Sequence, residues 1–230
     1  MGMAAPTPMN TYPLHMITNI DILTLAQWLS PSFPVGAFAY SHGLETAFQN
    51  GQISTAGALQ DWLADVLTHG SGRNDCILLR AAYASTSHDE VEQLNLTALA
   101  VSASSERVLE TTLQGRAFSQ TAAAIWGSDD VNACYPIAVG IAAARRKLDV
   151  EITAALYLHA FASNLVSAAV RAIPLGQTDG QRVLSALLPL CEEIAETTRD
   201  RDPDDLSSTA FLSDIAAMRH ETLQPRIFRS

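Results

Sequence analysis

Residues 150–173, VEITAALYLHAFASNLVSAAVRAI, restrict the fold more than any other stretch. Asp149 stands where a helix N-cap belongs, and Pro174 stands where a helix must stop. Between them apolar side chains occupy nearly every face of a 3.6-residue helix, so this helix needs neighbours all round. A bilayer or a set of packed helices can supply them. Glu151, His159, Asn164 and Arg171 interrupt the run and alanine outnumbers leucine, which argues against a membrane span. The stretch therefore reads as the central, buried helix of a helical protein.

The rest of the chain supports that reading. Leu59, Trp62, Leu63, Val66 and Leu67 fall on one helical face, with Ser54 as the expected N-cap and the glycines at 70 and 72 as the stop. Helices are expected over 75–87, over 90–103 capped by Asp89, and from Ser104 or Ser105 to Trp126. The last of these carries an apolar stripe of Val108, Leu109, Leu113 and Ala117. Pro136 suits the first turn of a helix over 136–148, where Ala138, Gly140, Ala142, Ala143 and Ala144 allow close approach. Thr178 and Gln181 suggest a capping box for a helix over 179–198 with a kink at Pro189. After an acidic linker around Pro203, Ser207 or Ser208 opens a last helix expected to turn Phe211, Leu212, Ile215 and Met218 inward. No run of alternating β-branched residues occurs. The expected fold is all-α, one domain of about eight to ten helices. A loose leader occupies 1–18, the helical domain 19–224 and a tail 225–230.

Charge and cysteine usage narrow the function. The 230 residues carry 24 acidic against 14 basic side chains, a net charge of −10. That balance gives no electrostatic route to nucleic acid or an anionic membrane. The first basic residue is Arg73, so the N-terminal region lacks the positive charge of a secretory or transit signal, and a cytoplasmic location is expected. Cys76, Cys134 and Cys191 are far apart in sequence and read as buried thiols. Walker A, Gly-x-Ser-x-Gly, Gly-x-Gly-x-x-Gly and His-Glu-x-x-His patterns are all missing, and the histidines are dispersed. An interaction protein fits this better than an enzyme, and no cofactor is implied.

Two segments stand apart from the helical pattern. Residues 28–45, WLSPSFPVGAFAYSHGLE, place two prolines and a glycine in a stiff, shaped connection. Ser41 can cap the helix that follows, which would bring His42 and Glu45 together at i, i+3. The tail, Arg226-Ile-Phe-Arg-Ser230, is unusually apolar for a chain end. Aromatic and aliphatic anchors between arginines have the composition of an interface hot spot, although docking onto the chain's own core is an equal alternative. Arg145-Arg146-Lys147 reads as a helix C-terminus complementing the macrodipole.

Residues 28–45 closely resemble the N-terminal motif of the urease accessory protein UreF family. The resemblance continues in NLVSAAVRAIPLGQTDGQ over 164–181, in SDIAAMRHE over 213–221 and in the RIFRS tail. It implies an all-helical homodimer without chemistry of its own, a chaperone subunit that binds a scaffold accessory protein (UreD, or UreH) and the GTPase UreG. Through that complex it would serve apo-urease, helping to couple GTP hydrolysis to nickel insertion. On this resemblance Arg226, Phe228 and Arg229 are the expected scaffold contacts, with Phe33, Tyr40 and Glu45 supporting that face or the dimer cleft. Arg219 and Glu221 are expected polar contacts to the GTPase, and His42, Glu45 and His220 candidates for transient nickel contact. An alternative is a GTPase-activating role in which Arg219 or Arg145 is donated in trans.

Overall fold

The computed structural model describes residues 17–127 and 130–230, and almost all of the leader expected over 1–18 lies outside them. Ten α-helices follow one another: α1 (Asn19–Trp28), α2 (Leu44–Gln49), α3 (Ala56–His69), α4 (Ser71–Ala84), α5 (His88–Ala100), α6 (Ser105–Trp126), α7 (Tyr135–Arg146), α8 (Val150–Ala172), α9 (Gln177–Thr197) and α10 (Phe211–His220). Short 3-10 turns occupy Ala37–Ala39 and Pro203–Asp205, and no strand occurs among the described residues. The all-α expectation is met.

The caps show where sequence reading was close and where it slipped. Ser104 and Asp149 cap α6 and α8 as expected, each accepting a backbone N–H of the first turn. α3 is capped by Thr55, not Ser54, and α5 by a Ser87–Glu90 capping box, not Asp89. Gly72 lies inside α4, which begins at Ser71 immediately after Gly70 closes α3. Gly176 precedes α9 without any side-chain cap, so the Thr178–Gln181 box does not form, and Pro189 lies inside that helix.

α4 contributes to each of the apolar clusters: Cys76 packs with α3, α8 and α9, Leu79 with the aromatic group around Trp28 and Phe118, and Leu78 and Ala82 with α5 and α7. It meets α7 so closely that a Cβ at Gly140 would lie 2.2 Å from the Leu79 carbonyl oxygen. Glycine is thus required by contact there, as the small-residue pattern of α7 suggested. α8 has the length and hydropathy of a membrane span, yet it packs between α9, α4 and α3 and buries only half of its apolar window. Its remaining face borders a groove. The three cysteines are free and buried, and burial raises their thiols, Cys134 and Cys191 to about 11. They are accordingly held as neutral thiols.

Two helices reverse the expected orientation. In α6 the buried positions are Arg107, Glu110, Gln114, Gly115, Phe118, Ser119 and Ala122, while Leu109 and Leu113 of the supposed inner stripe are exposed. In α10 the buried residues are Ser213, Ala216, Ala217 and His220, and Phe211, Leu212, Ile215 and Met218 all face outward. The inner faces are chosen by polar network and close packing, leaving large apolar side chains on the surface.

Candidate functional site: a docked C-terminal tail

The connection before α2 is shaped by left-handed backbone at Gly36, His42 and Gly43. Gly43 cannot be replaced cheaply: its φ is +77° and a Cβ would fall 2.6 Å from the Ala217 nitrogen, because α10 crosses there. This turn brings Ser41 and Glu45 beneath the tail. Ser41 is not the cap of α2, whose N-cap is Gly43 without a side-chain bond, but its hydroxyl lies just before that turn and accepts the Glu45 N–H at 3.3 Å. His42 and Glu45, however, diverge. His42 turns to the Ser71 hydroxyl at 2.8 Å and packs edge-on against Phe161, and burial, reinforced by Arg107, drives its imidazole well below the usual pKa. It is held neutral and apart from Glu45.

Glu45 is only 2% exposed and serves the tail. Its Oε1 accepts the Ile227 N–H at 2.7 Å, and its Oε2 accepts the Phe228 N–H at 2.9 Å. The same Oε2 lies 3.1 Å from Nε2 of His220, the last residue of α10. On its other side, His220 Nδ1 lies 2.7 Å from Glu106 Oε2, and Glu106 Oε1 accepts from Arg226 at 2.6 Å. The chain end then runs alongside residues 39–41. Arg229 N–H donates to the Ala39 carbonyl at 2.8 Å, and Ser41 N–H donates to the Ser230 oxygen at 2.7 Å. The Ser230 hydroxyl reaches Glu110 at 2.8 Å, and Glu110 is paired with Arg107.

In the isolated chain the tail therefore docks on its own domain, and its residues make the following contacts there. Phe228 is 3% exposed, with the Arg171 guanidinium 4.9 Å above its ring, so it is an internal anchor. Arg226 is engaged by Glu106, and Arg229 bonds the Tyr40 side chain. Tyr40 is itself buried, and Phe33 belongs to the aromatic cluster of Trp28, Phe118 and Trp126. Glu221 holds the start of α6 by accepting both Ser105 N–H and hydroxyl, bonds that lower its carboxyl pKa. Arg219 is exposed, and its guanidinium makes no hydrogen bond or ion pair among the described residues. Arg145 lies in the last turn of α7, with Arg146 over the Trp126 ring.

Sequence reasoning marked Ile227 and Phe228 alike as anchors, but it carried only Phe228 forward as a contact, whereas Ile227 is the exposed one, 73% open between two pinned N–H groups. It also missed the outward face of α10 and the role of Glu106. The neighbouring arginines gave the tail an interface composition, but no local pattern says which of Ile227 and Phe228 points out. A second feature is a groove of about 700 Å³ between α1, α8 and the start of α9. His159, Ala160, Ser163, Asn164, Ser167 and Arg171 of α8 border it, so the polar His159 and Asn164 that interrupt this helix's apolar run face the groove. Among the described residues no three His, Cys, Asp or Glu side chains are arranged to hold a metal ion. Glu45 and Glu106 approach opposite nitrogens of His220 and do not converge on one point.

A family profile described as UreF matches residues 53–188. The chain is 52% identical to the urease accessory protein UreF of Ruegeria pomeroyi over 213 residues, covering 93% of this chain and 98% of that protein. It is 50% identical to the protein of that name from Roseobacter denitrificans over 223 residues, 96% and 100% of the two chains. The chain belongs to the UreF family. The Rhodopseudomonas palustris (strain BisB5) UreF remains 42% identical over 98% of both chains. The profile match runs from residue 53 to residue 188, so Glu45 lies before it and the tail after it, although the UreF relatives align over nearly the whole chain.

Proposed function

We propose that this chain is a non-catalytic cytoplasmic subunit of the urease maturation machinery, bridging the scaffold protein UreD/UreH and the GTPase UreG for nickel delivery to apo-urease. Membership of a family of urease accessory proteins supports the maturation role. The observation that carries the bridging role is the outward apolar surface at the chain's C-terminal end. Ile227 on the tail and Phe211, Leu212, Ile215 and Met218 on α10 are each exposed, on two elements that both bond Glu45, and Arg219 on the same helix has no side-chain partner among the described residues. Apolar anchors beside an arginine suit a protein partner that offers an apolar patch with carboxylates at its edge. We assign this surface to the scaffold protein. Replacing Ile227 by Asp places a charge at its most exposed anchor and is expected to weaken scaffold binding by about tenfold or more without altering the fold. Titration calorimetry with the purified scaffold protein measures this, and unchanged affinity rejects the assignment.

The homodimer is assigned to the groove face. Ala160, Ser163 and Ser167 keep that side of α8 shallow, and Leu25 and Ala26 of α1, with Leu29 just after it, line the groove from the other side. A second copy would cover both. The Arg219 guanidinium, exposed and without a partner among the described residues, also favours the alternative in which UreG receives an arginine in trans. A large fall in GTP turnover on Arg219→Ala, with assembly intact, distinguishes donation from simple positioning.

A further inference from the structure

We infer that Glu45 is the positioning residue of this interface: its one buried carboxylate, with His220 and Glu106, locks the tail and the end of α10 into a single binding surface. The inference rests on the scaffold-binding reading and deepens it. Three groups from two elements converge on Glu45: the backbone N–H groups of Ile227 and Phe228, which donate to it, and Nε2 of His220, 3.1 Å from its Oε2. A carboxylate offers only acceptor oxygens, which suits such a site, and burial makes each bond costly to leave unmade. Glu106 closes the arrangement from α6 by holding the far nitrogen of His220 and the Arg226 guanidinium. The tail and α10 thus have one common fastening. What it fixes faces outward, since Ile227 sits between the bonded amides with its side chain in solvent. Core stability alone does not require that residue to be apolar.

Glu45→Gln preserves size while turning an N–H group toward one of the two backbone donors, whichever way the amide is oriented. In limited trypsin digestion followed by mass spectrometry, the full-length variant is expected to lose residues 227–230 by cleavage after Arg226 about tenfold faster than wild type. Cleavage after Arg219 should accelerate with it, whereas cleavage after Arg182, whose side chain is 74% exposed, supplies the reference rate. Far-UV circular dichroism should be unchanged. Equal rates after Arg226 and Arg219 in variant and wild type overturn the inference, as does acceleration after Arg226 alone. If Glu45→Gln does not fold, Glu106→Gln, which disturbs the same fastening from the α6 side, must show the same paired acceleration or the inference fails. Scaffold affinity is measured on the same samples. A freed tail with weakened binding supports both readings, and a freed tail with undiminished binding retains the fastening while rejecting the scaffold assignment.

Discussion

Asp75 is the residue with the most evident energetic conflict. It is half-buried in α4 at the edge of the groove, where its Oδ2 accepts the Tyr157 hydroxyl at 2.7 Å. Burial raises its carboxyl to about 6, with Arg107 and the Tyr157 bond opposing the rise. Because the folded value lies above the unfolded one, the ionised form destabilises the fold at pH above 6. That penalty is relieved as the pH falls through 6 towards 4, where the unfolded chain also takes up the proton. Chemical denaturation across pH 5–8 should therefore show a component that favours lower pH. Asp75→Asn keeps an acceptor for Tyr157 and should remove that component, with a gain at neutral pH of up to about 3 kcal/mol. A profile unchanged by the substitution would place the conflict elsewhere. At Gly43 the prediction has the opposite sign. Gly43→Ala combines positive φ with a backbone clash against α10 and should cost roughly 1–3 kcal/mol in the same assay. The glycine was visible in the sequence, but the crossing helix that makes it indispensable was not.

At the scale of the element, α6 and α10 explain why periodicity identified helices and failed to orient them. Large apolar residues normally mark the buried face, and that rule placed Leu109, Leu113, Ile215 and Met218 inside. In α10 the packed face is instead made of Ser213, Ala216 and Ala217, small enough to cross α2 at Gly43, with His220 tied to two carboxylates. In α6 it is made of Arg107, Glu110 and Gln114, which bond one another and the tail. A reading that ranks residues by hydrophobicity cannot anticipate polar groups whose partners lie more than a hundred positions away. The orientation gives a pair of contrasting expectations. Met218→Gln should leave stability within about 0.5 kcal/mol of wild type, as for other surface changes. Ala217→Leu overpacks the crossing with α2 and should cost about 1–3 kcal/mol or more. Thermal unfolding of the two variants tests the orientation directly, since an inward Met218 would reverse their order.

For the whole molecule, the all-α fold was legible because the uncapped alternatives were few and α8 demanded helical neighbours. The tail was legible only as an anomaly of composition, because its place depends on α2, α6, α8 and α10 assembling first. That assembly changes how the tail should be tested. Deleting 226–230 removes more than a contact surface: it withdraws two N–H donors from Glu45, the Ser230 hydroxyl from Glu110 and the Phe228 ring from beneath Arg171. Leaving a buried carboxylate without its donors is expected to cost about 1–3 kcal/mol, so the truncated chain should be measurably less stable as well as defective in binding. Ile227→Asp separates the two effects, since that side chain has no internal role. In a reconstituted mixture of apo-urease, scaffold protein, UreG, nickel, bicarbonate and GTP, wild type should raise urease activity above the mixture lacking it. Ile227→Asp should lower that activation while retaining wild-type thermal stability, and added excess of the variant should restore part of it if affinity is what was lost. Full activation by Ile227→Asp at limiting concentration would mean that assembly proceeds through another face of the molecule, with the α8 groove the first place to look.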